Sequence, residues 1–200
     1  LVNWSASSPQ YPNVSVVPPL LDTPRLWLRP IAVDDADQIQ AVFPQWDVVR
    51  FLSTVIPWPY PADGALTYCR DVALPAMARG EEWIWSLRPK DDPARLIGLI
   101  SLMARDDDNR GFWLDPAWQR RGFMTEAADA VTDYWFDVLK RPILRVPKAI
   151  GNVASRRISE KQGMRLVGTE ERAYVSGRLL AERWEITAEE WRAHRAQRRR

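Results

Sequence analysis

The run Phe112-Trp-Leu-Asp-Pro-Ala-Trp-Gln-Arg-Arg-Gly-Phe-Met-Thr-Glu-Ala127 passes from a strand-like stretch through a basic glycine turn straight into a helical pattern. A helix that starts so abruptly leaves its first N–H groups without intrahelical acceptors, and its aligned peptide dipoles add partial positive charge there. Gly122 lets a ligand approach the backbone closely, and Arg120 and Arg121 add two guanidiniums. Such a turn suits a phosphate or pyrophosphate, although an ordinary strand–helix turn with a surface arginine pair has the same composition. Asn152 and Ser155 form a second group, an N-cap and a hydroxyl one turn into a helix that ends at Gly163. A third is Asp106-Asp107-Asp108, which reads either as a solvated turn or as a carboxylate base acting through a water. Glu160 is a further carboxylate, with Arg156 one turn before it as a plain helical ion pair. With one cysteine, Cys69, and one histidine, His194, the chain offers neither a disulfide framework nor a metal site.

Periodicity supplies the elements that must hold these residues. Alternation in Arg25–Arg29 puts Leu26 and Leu28 on one face of a first strand, ended by Pro30. Asp34 is expected to cap a short helix with the stripe Ala36, Ile39, Val42 and Phe43, stopped by Pro44. Trp46 to Tyr60 is aromatic and proline-broken, a short helix followed by a packed loop. A longer helix from about Pro61 would put Leu66, Cys69, Val72, Ala73 and Met77 on one face, with Gly80 as its stop. Strands follow at Trp83–Arg88, Leu96–Met103 and Gly111–Leu114, then a helix carrying Ala127, Val131, Tyr134, Trp135 and Val138. Ile143–Ile150 reads as a strand, Asn152 starts the next helix, and Met164–Gly168 and Leu180–Ile186 are the last strands. Thr187 with Glu190 three residues later is a capping box for a terminal helix. The order is that of one mixed α/β domain without repeats.

Composition is that of a soluble globular chain: 200 residues, 46% hydrophobic and 27% charged. The formal net charge is +2, but the residues from Glu189 onward hold +3 of it, so the body is not a polyanion-binding surface and nucleic acid is not an expected partner. No apolar run is long enough to cross a bilayer and no signal peptide is seen, so a membrane partner is not expected and the default location is the cytoplasm. The tryptophans Trp83, Trp85, Trp135 and Trp184 read as core. Residues 1–21, rich in Ser, Pro and Asn, read as an extended or disordered arm; 22–191 as the folded domain; 192–200 as a basic tail.

Gln119-Arg-Arg-Gly-Phe-Met124 resembles the acetyl-CoA loop of the GNAT acetyltransferases, with Met124 where that family has a small residue. Thr125-Glu-Ala127 is similar to the ribosomal-protein (Rim-type) branch. So are Thr23-Pro-Arg-Leu-Trp-Leu-Arg-Pro30, Asn152-Val-Ala-Ser-Arg-Arg-Ile-Ser-Glu-Lys-Gln-Gly-Met164 and Glu185-Ile-Thr-Ala-Glu-Glu-Trp191. Four matching segments in order span most of the chain.

The resemblance implies the GNAT fold, a mixed central sheet with helices on both faces and a splayed strand pair holding coenzyme A. It implies acetyl-CoA as co-substrate, an amine acceptor (a peptide N-terminus or a small molecule), no metal, and a monomer or homodimer. Pantetheine would lie beside Trp113 and Leu114, and pyrophosphate on Gln119, Arg120, Arg121, Gly122, Phe123, Met124 and Thr125. Asn152 and Ser155 would face the thioester end, with Ser155 as a hydrogen-bond donor to the departing sulfur. Trp46, Trp58 and Tyr60 would wall the acceptor site. Rim-type relatives carry a glutamate base at the position of Asn109, so here the base falls to a neighbour, Asp108. The alternative is a coenzyme A-binding regulatory module without catalysis.

Overall fold

The computed structural model of the chain describes residues 17–198, so residues 1–16 of the expected arm lie outside the described residues. In order, the elements are β1 (Leu21–Asp22), β2 (Leu26–Pro30), α1 (Ala36–Val42), α2 (Trp46–Val49), α3 (Gly64–Thr67) and α4 (Leu74–Ala78). Then come β3 (Glu82–Pro89), β4 (Gly98–Met103), β5 (Arg110–Leu114), α5 (Phe123–Asp133) and β6 (Ile143–Ala149). The chain closes with α6 (Val153–Lys161), β7 (Arg165–Tyr174), β8 (Gly177–Thr187) and α7 (Ala188–Arg198). Strands β1 to β5 form one antiparallel sheet in sequence order, and β6-β8-β7 form a second. The expected mixed sheet is therefore two antiparallel ladders set edge to edge.

Alternation on β3 decides the layers. Trp83, Trp85 and Leu87 pack with Met124, Ala127, Val131 and Trp135 of the α5 side, while Ile84 packs with Ile39, Phe43, Val49 and Cys69 of the α1–α4 side. Helices thus cover both faces. Trp83, Trp85, Trp135 and Trp184 are all buried, as core residues.

Several local expectations are corrected. Asp34 caps nothing: Asp35 is the functional carboxylate of that turn, accepting from Ala32 N at 3.0 Å and from Arg29 and Arg88 at 2.5 and 2.6 Å. It is buried, and two guanidiniums plus a backbone donor make that tolerable. The helix after Pro61 passes through wide π turns at Tyr68–Ala73, which rotate its face so that Leu66 and Val72 are exposed. The same widening at Tyr134–Val138 exposes Val138. The last two strands form one long hairpin, with Tyr174 opposite Gly177. The expected basic tail is helical to Arg198: Arg195 bonds Asp133 at 2.8 Å and Arg198 bonds Asp129 at 2.9 Å, both on α5. The Thr187–Glu190 capping box is present in both directions.

The two sheets meet at Asn109. Its N–H donates to Arg145 O at 2.8 Å, and its side-chain oxygen accepts from Arg145 N at 2.7 Å. Its Nδ2 donates to the carbonyls of Met103, at 3.3 Å, and Arg105. Asn109 is buried, so every one of these bonds replaces a contact with water that it has given up. Replacing it with alanine leaves Arg145 N and two carbonyls short of partners. We expect Asn109→Ala to lose about 2–4 kcal/mol in chemical denaturation, and Asn109→Asp to lose at least as much at neutral pH, because it keeps the acceptor for Arg145 N but sets a buried carboxylate against the carbonyls of Met103 and Arg105. A loss below about 1 kcal/mol in Asn109→Ala would show that these bonds contribute little.

Candidate active site

Beyond Asn109 the two edge strands share no ladder. Bonds from Met103 N to Asn109 O and from Asp115 N to Ile97 O fix the parity of β5. Gly111 and Trp113 therefore point their backbone groups at β4, whereas those of Phe112 and Leu114 point into the opening. On β6, the bonds Ala188 N to Pro142 O and Ile150 N to Leu180 O turn the backbone of Pro147 and Ala149 away from β8 as well, although the Ala149 carbonyl already accepts from Asn152 N at 2.8 Å. Proline at 147 fits, since its missing N–H faces a gap rather than a ladder. The opening can thus take an extended polar ligand as an added strand. Of the expected pair, Leu114 has its N–H available while its carbonyl accepts from Gln119 Nε2 at 3.2 Å. The backbone of Trp113 is used by β4 and its side chain is in the core. Phe112, which sequence reasoning missed, takes its place.

At the far end, a short 3-10 turn (Pro116–Trp118) leads to Arg120 and Gly122, both left-handed with φ of 63° and 81°. Those angles fold the turn back so that α5 starts at once, and Glu126 N is bonded to Gly122 O. The N–H groups of Phe123, Met124 and Thr125 precede any intrahelical acceptor. Glu126 anchors this start: Thr23 Oγ1, Arg25 N and Arg25 Nε each donate to it at 2.7 Å. Burial raises its carboxyl, but these bonds outweigh that and hold it below the ordinary range. Arg25 also donates to Arg121 O at 2.9 Å and lies 4.4 Å from the Phe123 ring centroid. Arg121 stacks on Trp118, and Arg120 is exposed. Met124 is buried in the core, so its large side chain points away from the turn and only its N–H faces a ligand.

The third part lies at the start of α6. Asn152 Oδ1 accepts from Ser155 N at 3.2 Å, the expected N-cap. Ser155 is buried, and its Oγ accepts from Lys148 Nζ at 2.8 Å. Sequence reasoning missed Lys148. Its signal was there: it follows Leu144 and Val146 in the alternation of the buried face of β6. Burial pushes its ammonium well below the ordinary lysine range, Arg110 pushes the same way, and Asp108 opposes them. Arg110 is itself buried, bonded to Thr132 and Gln162, and pushed down to about 10 by burial.

Asp106 and Asp107 are exposed, but Asp108 is half-buried. Burial raises its carboxyl to about 6, against the opposing charges of Arg172 and Arg105. Its Arg172 contact is 3.8 Å, while Asp107 and Glu170 take the closer positions on that guanidinium. Tyr174 has a buried hydroxyl with no partner among the described residues, raised to about 12 by burial. Glu160 keeps its plain ion pair with Arg156 at 3.1 Å.

Trp46 and Trp58 come together with ring centroids 5.6 Å apart, both substantially exposed. Tyr60 turns inward instead, onto Phe43, which in turn packs on Trp113. The loop between them is tied to the β7–β8 hairpin by Val175 N to Leu52 O and Ser176 N to Arg50 O.

The family model described as the acetyltransferase (GNAT) domain matches residues 25–165. YoaA of Bacillus subtilis, an uncharacterized N-acetyltransferase, is 30% identical over 155 residues, 75% of this chain and 85% of the relative. The ribosomal-protein-S5-alanine acetyltransferase of Vibrio fischeri superposes with a TM-score of 0.73 at 14% identity, covering 87% of this chain and 99% of that one. RimL, a ribosomal L7/L12 alpha-N-protein acetyltransferase solved in complex with coenzyme A, gives 0.69 at 16% identity, covering 84% and 96%. Rim-type enzymes are thus among the structural neighbours.

The raised carboxyl of Asp108 carries a signed consequence. A folded-state value of about 6 against about 3.9 unfolded means that the folded state holds the proton more tightly, so Asp108 destabilises progressively as pH rises from 4 to 6. Asp108→Asn should therefore be more stable than the parent at pH 7.5, by about 1–2 kcal/mol after solvent screening, and equal to it near pH 4. Thermal melts at the two pH values check this; a variant less stable at pH 7.5 would overturn it.

Proposed function

The chain belongs to the GNAT acetyltransferases, and from that premise we propose that it moves acetyl from acetyl-CoA to a primary amine, a peptide α-amine or a small amine, by direct attack in a ternary complex. The observation that carries this is the opening between β5 and β6, pinned at Asn109 and lined by unpaired backbone. In this reading pantetheine bonds the backbone of Phe112 and Leu114. Pyrophosphate takes the N–H groups from Arg120 to Thr125, with Arg120 and Arg121 beside it. Direct attack is supported by Cys69: it is fully buried and its thiol is pushed up to about 11 by burial, so it offers no thiolate to carry acetyl in a two-stage transfer.

Asp108 is the base in this scheme, directly or through a water, and Ser155 donates to the departing sulfur. A base near 6 lies about two units below an α-ammonium and more than four below a lysine ammonium. Deprotonation is then uphill by about 3 kcal/mol for the first and about 6 for the second. That difference favours an α-amine acceptor. Trp46 and Trp58 offer the acceptor an exposed aromatic wall, with Tyr60 behind it as packing.

Millimolar coenzyme A should raise the melting temperature, since it binds the folded state. Gly122→Val should abolish the shift, because a β-branched residue does not accept φ of 81°. Turnover screened across peptides of different first residue and a panel of small amines then identifies the acceptor. An unchanged melting curve for the parent would defeat the assignment. With an acceptor in hand, Asp108→Asn should lower turnover most at neutral pH, with the loss shrinking as pH rises and solvent deprotonates the amine. Ser155→Ala should lower it by roughly ten- to a thousand-fold with little change in coenzyme A affinity.

A further inference from the structure

Lys148 has no task in the scheme above, yet its position is costly. Its side chain leaves β6 and crosses the base of the opening, with Nζ 5.3 Å from the Phe112 ring centroid on β5. It is buried, and among the described residues its one side-chain hydrogen bond is the 2.8 Å donation to Ser155 Oγ. Among the described residues no carboxylate lies within ion-pair distance of it. The charged groups around it are Arg110 and Asp108 from the β5 edge and Glu182 from β8, with Arg156 of α6 behind Glu182. Glu182, its cross-strand neighbour, is already taken by Trp184 Nε1 at 3.0 Å and Arg156 at 3.5 Å. A methionine would fill this space without any desolvation penalty.

We propose that Lys148 is the proton store behind Ser155: it holds the serine oxygen as an acceptor, leaves the serine proton to face the opening, and replaces that proton when coenzyme A departs. This rests on the acetyl-transfer reading. As the new C–N bond forms and the C–S bond breaks, the C–S electron pair goes to sulfur. The serine proton moves to sulfur while a proton of the Lys148 ammonium moves to the serine oxygen. Lys148 is left neutral and is reprotonated from solvent once the opening empties. An acceptor that arrives as its ammonium gives up two protons, one to become the nucleophile and one as the C–N bond forms. Both leave in turn through Asp108, so two protons leave and one enters per turnover, and the net proton is the one that acetylating an ammonium releases. Ser155 touches the reacting atoms, and Lys148 acts only through it.

The surroundings suit this task. An ordinary lysine ammonium is a weaker acid than a thiol by about two units, so the transfer would run uphill. Burial and Arg110 work against that mismatch by making the ammonium more acidic. Ionised Asp108 opposes them. When Asp108 takes the acceptor's proton, that support disappears, and Lys148 becomes more acidic at the step where sulfur needs a proton.

The first test needs no acceptor. Coenzyme A bound to the parent, to Lys148→Met, to Ser155→Ala and to the double variant is titrated by thiolate absorbance from pH 6 to 10. Cys69, at about 11, stays silent over most of that range. In the parent the bound thiol should ionise at least about one unit below its free value of about 8.5. Each single variant should return it toward the free value, and the double variant should go no further. With the best acceptor of the amine screen, Lys148→Met should lower kcat about 10- to 100-fold, leave KM for acetyl-CoA within about threefold, and lose the alkaline limb of the pH profile. Should Lys148→Met melt too low to assay, Lys148→Gln keeps a neutral donor to Ser155 and should show the same loss of the alkaline limb. Parental kcat and thiol ionisation in the lysine variants, or effects of Lys148→Met and Ser155→Ala that multiply, would overturn the proposal alone. A parent that binds no coenzyme A overturns it together with the reading beneath it.

Discussion

Asn109 is the constraint on which the rest depends. Two edge strands that approach each other tend to zip, because each unpaired N–H and C=O gains a partner by doing so. Here zipping stops after one residue. Asn109 spends its backbone N–H and its side-chain oxygen on Arg145, and turns its amide nitrogen back onto Met103 and Arg105. A side-chain amide thereby substitutes for the backbone at the one point of contact, and β5 is free to diverge from β6. A glutamate at this position would have no amide donors for the two carbonyls. The same residue therefore explains why the opening exists and why the half-buried carboxylate beside it is Asp108, one position earlier.

The charges around the opening are arranged in opposition. Asp108 is raised toward neutrality by burial, and Lys148 and Arg110 are lowered by it. Each prefers the uncharged form more than it would in water, so small changes in their surroundings change which one holds a proton. That is unfavourable for folding. It is offset where buried charge is paired, as in the Asp35–Arg88 pair under β2 and β3, which the half-exposed Arg29 also joins, and by the continuous apolar core on the α5 side.

How much was legible in the sequence follows from whether a feature is local. The turn at Gly122, the Asn152 cap and the Thr187–Glu190 box are set within a few residues, and their side chains announce them. The buried tryptophans were readable, Trp83, Trp85 and Trp184 from strand alternation and Trp135 from helical spacing. Asp108 was named among three similar aspartates, but the Arg172 that lies 3.8 Å from it is on β7, more than sixty residues away, and no local pattern announces that contact. Lys148 follows the buried alternation of β6, yet a lysine in a short strand ordinarily reaches solvent. The π turns after Thr67 and Asp133 each insert part of a residue into a 3.6-residue repeat, which no count of apolar spacing reveals. The hairpin arms around Val175 are charged on both faces, so the alternation that marks a half-buried strand is absent there.

The Gly122 turn at the end of the opening depends on α5 being held at both ends. Its first turn carries Glu126, a carboxylate that by itself would repel a pyrophosphate. Thr23 and Arg25 bind that carboxylate from the start of β2, so its charge is spent internally, and Arg120 and Arg121 remain for an incoming ligand. At the other end Asp129 and Asp133 are bound by Arg195 and Arg198 of α7. These ties run to the first strand and to the last helix, and α5 lies between them as a strut whose direction both termini of the domain fix. A helix that could pivot would lose entropy on binding a phosphate, whereas one clamped in advance presents its N–H groups already aimed. Arg195 and Arg198 therefore act on the Gly122 turn through α5, by fixing the direction of the helix that starts there.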